Sequence, residues 1–65
     1  MKLTFVGGSG CATGPCPTVY LTENDTFVIQ GFAVDPAEAE IALPPGELLV
    51  EVPRYVIENA LTRVR

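Results

Sequence analysis

The stretch "TVYLTENDTFVIQGFAV", residues 18–34, decides how this chain folds. Its first five residues hold two threonines, Val19 and Tyr20, which favour a pleated strand. "END", Glu23 to Asp25, is polar and turn-prone. "TFVIQGFAV" then reads as a second, longer strand, so residues 18–34 predict a β-hairpin. Gly31 falls inside that second strand, where a glycine marks a bulge or a close backbone approach.

Working outward, "KLTFV" alternates in polarity and predicts a strand at the N-terminus. Residues 7–17 contain four glycines and two prolines and read as a loop. Beyond the hairpin, Asp35 is placed to cap a short helix that has Pro36 at its first position. "LPPGE", Leu43 to Glu47, is a turn, because two consecutive prolines do not fit regular structure. "ELLVEV" alternates again and predicts a strand. Pro53 ends it and opens a last helix, on which Val56, Ile57, Ala60, Leu61 and Val64 share one stripe.

These elements predict an α+β fold, a small antiparallel sheet of about four strands with a C-terminal helix. The 65 residues are expected to form a single small domain. A chain of this length buries only roughly 60% of its unfolded surface, so its stability margin is thin. The composition is nonetheless that of a folded protein, with 48% apolar and 18% charged residues.

The alternation assigns Leu3, Phe5, Val19, Leu21, Phe27, Ile29, Ala33, Leu48, Val50 and Val52 to one sheet face. It assigns Val6, Tyr20, Val28, Phe32, Val34 and Leu49 to the other. One helix covers one face, so the second set predicts an interface, and a homodimer would satisfy it. The interface residues expected are Tyr20, Val28, Phe32, Val34 and Leu49.

The net charge is −4, and Lys and Arg are absent between Lys2 and Arg54. Direct nucleic-acid binding needs a basic face, and none is expected here. An acidic body suits a basic protein partner better. No segment has the length of a membrane span, and "LTFV" is too short for the apolar region of a secretion signal. The expected location is the cytoplasm.

Residues 3–20 hold a glycine cluster and two cysteines. Gly8 and Gly10 begin a dinucleotide-type spacing, but Thr13 stands where the third glycine belongs and no long helix follows. No phosphate cofactor is expected. Cys11 and Cys16 leave three readings open: two reduced structural thiols, a disulfide closing "CATGPC", or ligands of a metal shared with a second chain. Reducing cytoplasm weighs against a permanent disulfide, and two thiolates without histidine are too few for a zinc site in one chain. With no histidine and no evident base beside either thiol, enzymatic activity is not expected.

At "CPTVY" (16–20), "FVIQG" (27–31) and "LPPGELLVEVP" (43–53), the chain resembles a group of small actinobacterial proteins. These are companions of Xre-type helix-turn-helix regulators, in the WhiJ and BldB neighbourhood. The resemblance spans about residues 11–61 and brings no catalytic residue with it. It implies a regulatory accessory protein that binds or modulates a DNA-binding partner. A redox- or metal-responsive switch built on Cys11 and Cys16 is the alternative reading.

Overall fold

A computed structural model of the chain describes residues 1–8 and 16–64. Among these described residues, five strands and two helices follow one another: β1 (Leu3–Gly8), β2 (Thr18–Thr22), β3 (Phe27–Gln30), β4 (Phe32–Val34), α1 (Pro36–Ala39), β5 (Leu49–Glu51) and α2 (Arg54–Arg63). They build one antiparallel sheet in the order β1-β2-β3, a separate antiparallel ribbon of β4 and β5, and a C-terminal helix. This is the small α+β fold that the patterning predicts.

The hairpin forms as expected, with Val19 opposite Ile29 and Tyr20 opposite Val28. Its three-residue loop closes with Asp25 in the left-handed region at φ 61, the geometry such loops need at that position. Thr22 secures the turn from beneath. Its hydroxyl accepts from the backbone N–H groups of Asn24 at 3.2 Å and Thr26 at 3.3 Å, and lies 2.6 Å from the Thr26 hydroxyl.

The long second strand is divided at Gly31. Residues up to Gln30 pair with β2, whereas residues from Phe32 onward pair with β5. The reason lies across the ladder. Gln30 opposes Thr18, so the next position would oppose Pro17, which has no N–H to donate. The chain changes partner there, and the end of β5 crosses it closely. A Cβ on Gly31 would stand 2.6 Å from the Glu51 carbonyl oxygen, so only glycine fits.

The core sits between α2 and the first two strands. Val6, Val19, Val56 and Ala60 are buried together, with Leu21, Ile57 and Val64 packed around them. Leu61, placed on the buried stripe by its spacing, is exposed instead. The helix lies over β1 and β2, so Phe27 and Ile29 on β3 stay open on the same side as the helix.

The face assignment of β1 is corrected. Its register with β2 shifts between Phe5 and Gly7, leaving Val6 as the extra residue of a β-bulge. Val6 therefore joins Val19 under the helix rather than lining the opposite face. Leu3 and Phe5, paired with Thr22 and Tyr20, belong to the face away from the helix. One inserted residue has exchanged the two sides of the strand.

The chain enters the ribbon through Gly31 and leaves it through Val52 and Pro53 into α2. Asp35 caps α1 as expected, its carboxylate accepting from the Ala37 N–H at 2.9 Å. The molecule is extended for its length. Its radius of gyration is 12.8 Å, against about 10.7 Å for a compact chain of 65 residues.

Candidate interaction site

The residues expected to form one interface fall into two groups. Tyr20 and Val28 are partners across β2 and β3, on the face of the three-stranded sheet away from α2. Phe32, Val34 and Leu49 lie on the ribbon, where Val34 opposes Leu49 and Phe32 opposes Glu51. The partner change at Gly31 separates them. Leu3 and Phe5 join the first group through the bulge, a role that strict alternation in "KLTFV" conceals. The signal available in the sequence is the Gly7-Gly8 pair directly after Val6, since glycine inside a strand marks a bulge.

On the ribbon Phe32 is open, whereas Val34 and Leu49 are half-buried. Phe32 is 60% exposed and Leu48, just before β5, is 90% exposed. Ala33 and Val50 oppose each other on its second side, and Val50 is also open. Phe32, Glu51, Val52 and Pro53 line a groove of about 290 Å³ where the ribbon meets the start of α2. Five acids, Asp35, Glu38, Glu40, Glu47 and Glu51, stand exposed along this segment with no Lys or Arg among them. The ribbon is thus an apolar surface with an acidic border.

A second feature lies where the two halves join. Cys16 is disulfide-bonded, and no described cysteine is a free thiol. Cys11 lies outside the described residues. The Cys16 carbonyl oxygen accepts from the Thr18 hydroxyl at 2.8 Å and from the Gln30 side-chain amide at 3.2 Å. Cys16, Pro17, Gln30, Gly31 and Phe32 line a cleft of about 90 Å³. That is far below the roughly 300–1,000 Å³ of ordinary small-molecule pockets. The arrangement couples the cysteine to the point where the chain enters the ribbon.

At the other end of α2, Arg63 reaches to 5.9 Å from the centre of the Phe5 ring, within range of a cation–π contact. Among the described residues, no three acidic, cysteine or histidine side chains gather as a metal would require. No helix among them is long and apolar enough to cross a membrane.

No protein-family model, no curated protein and no solved structure matches this chain.

Proposed function

We propose that this protein is a non-enzymatic interaction module of the cytoplasm whose β4–β5 ribbon binds a basic protein partner. The observation that carries this reading is the exposed apolar ribbon within a segment that bears five acids and no base. An isolated two-stranded ribbon is marginal in water, and covering its apolar side chains stabilises it. A partner with an apolar centre and a basic border meets both needs, since complementary charge also speeds encounter. The resemblance to companions of Xre-type helix-turn-helix regulators supports such a regulator as the partner, because DNA-binding proteins carry basic surfaces.

The test is titration calorimetry of the purified chain against an Xre-type regulator encoded beside it. Binding that weakens with added salt, and that Phe32→Ala reduces at least tenfold, supports the reading. Absence of binding at about 100 μM, a Kd worth only about 5.5 kcal/mol, removes it.

A second reading follows from Cys16. Its bonded sulfur and its twice-bonded carbonyl support a thiol–disulfide switch that sets the position of the ribbon. Cys11, the only other cysteine of the chain, is the proposed partner. Exchange with a small-molecule disulfide would form the Cys11–Cys16 bond and release two small thiols, so electrons and protons balance. Mass spectrometry after thiol alkylation decides this. Two alkylated cysteines after oxidising challenge would end the switch reading.

A further inference from the structure

We infer that the groove where β5 runs into α2 is a pocket for one arginine side chain of a protein partner, which rests on the proposed binding of a basic partner by the ribbon. Phe32, Glu51, Val52 and Pro53 line this groove, whose volume is about 290 Å³. That lies at the lower edge of the range for small-molecule sites, room for a single side chain rather than a cofactor. Phe32 and Glu51 stand directly opposite each other across the β4–β5 ladder, so ring and carboxylate project from the same face. Val52 reaches back over Gly31, where a Cβ would stand 2.7 Å from its Cγ1. That close fit holds the Val52 wall in place.

Apolar walls and a single carboxylate define what the groove takes: a cation at the end of an aliphatic stem. The surrounding charge agrees. No Lys or Arg stands between Lys2 and Arg54, whereas Asp35, Glu38, Glu40, Glu47 and Glu51 are exposed on this segment. Arg54, the base nearest in sequence, is not among the walls. Between the two long basic side chains, the groove favours arginine. A guanidinium is planar, more weakly hydrated than an ammonium, stacks on an aromatic ring and bonds a carboxylate through two N–H groups. Phe32 and Glu51, as cross-strand neighbours with Cβ atoms about 5 Å apart, offer that ring and that carboxylate to one guanidinium. The chain makes the stacking contact within itself elsewhere, where Arg63 lies 5.9 Å from the centre of the Phe5 ring.

The test is an NMR titration of the isotope-labelled full chain, at low salt, with a capped Gly-Arg-Gly tripeptide. The amides of Phe32, Glu51 and Val52 should shift together and saturate with a Kd of about 10 mM or tighter. Citrulline in place of the arginine keeps the shape and removes the charge, and should weaken binding about fivefold. A lysine peptide should also bind less tightly. Glu51→Gln and Phe32→Leu should each weaken the arginine peptide by about two- to fivefold. Glu47→Gln, an acid outside the groove, should leave it unchanged. All three positions are exposed, and unchanged shifts in β1 and α2 show that each variant folds; Glu51→Gln serves alone if Phe32→Leu does not. No saturating shift at the three amides up to about 50 mM peptide would overturn the inference. So would equal binding of the citrulline or the lysine peptide. Equal losses from Glu47→Gln and Glu51→Gln would overturn it too, by showing diffuse attraction to an acidic surface. Such failures leave regulator binding standing, because that is read by calorimetry. A calorimetric blank beside a saturating arginine shift would remove the regulator as partner and keep the groove.

Discussion

Gly7 of β1 lies against the backbone of Ala60 in α2, so closely that a Cβ on Gly7 would stand 2.9 Å from the Ala60 nitrogen. The same Cβ would stand 2.9 Å from the Val56 carbonyl oxygen. Both neighbours are backbone atoms of one helix, so no side-chain rotation relieves the contact. Gly7→Ala must push α2 away from the sheet, at a cost of about 1–3 kcal/mol. The whole domain is worth only roughly 3–10 kcal/mol. The urea midpoint should fall with an unchanged slope; an unmoved midpoint would show that the helix does not rest on β1.

Val56, whose carbonyl oxygen lies against Gly7, is fully buried, with 0% exposure. Truncation to alanine removes two methyl groups from a core of four buried side chains. Few neighbours are available to collapse into the space, so the loss should be about 2 kcal/mol. Thermal unfolding reads this as a fall in Tm of about 8–16 °C. Leu61→Ala, on the exposed side of the same helix, should change Tm little. Equal falls for the two variants would contradict the packing described.

Thr22 is the buried polar residue of the hairpin turn, and its hydroxyl accepts from two backbone N–H groups. It also shares a hydrogen bond of 2.6 Å with the Thr26 hydroxyl, in which either oxygen can donate. Thr22→Val keeps the shape and deletes all three contacts, which should cost about 1–3 kcal/mol. Thr22→Ser retains the hydroxyl and should recover most of that loss. Matching destabilisation by Val and Ser would assign the effect to the methyl group instead.

Reduction should loosen the junction at Cys16. With the proposed partner Cys11, the disulfide would close a short loop and restrict the unfolded chain by about 2 kcal/mol. Adding dithiothreitol should lower the urea midpoint accordingly. Amide exchange at Gly31 and Phe32 should also quicken, because the Gln30 side chain bonds the Cys16 carbonyl beside them. If reduction lowers the midpoint but leaves exchange at those two amides unchanged, the cysteine stabilises the fold without reaching the ribbon.

Much of the local structure is legible in the residue order, because local preferences suffice to set it. Asp35-Pro36 caps and starts α1 through a hydrogen bond spanning two residues. Pro53 ends the run of β5 and precedes α2, and "END" turns the chain between β2 and β3. Gly31 signals a close backbone contact, although not which backbone makes it.

The two surfaces were not legible in the same way, since both depend on pairing between distant segments. Alternation along residues 2–6 places Phe5 beside Val19, and the bulge at Val6 moves it beside Tyr20. The bulge exists only in relation to β2. Alternation along residues 26–34 likewise describes one strand, and it becomes two because Pro17, ten or more residues earlier, cannot extend the ladder. The sequence by itself determined which segments are strands, turns and helices, through propensities and caps that act over a few residues. The tertiary structure alone decided which side chains α2 covers and which remain open to a partner. A one-residue change of register reverses the faces of a strand, and only the opposing strand and the packed helix set that register.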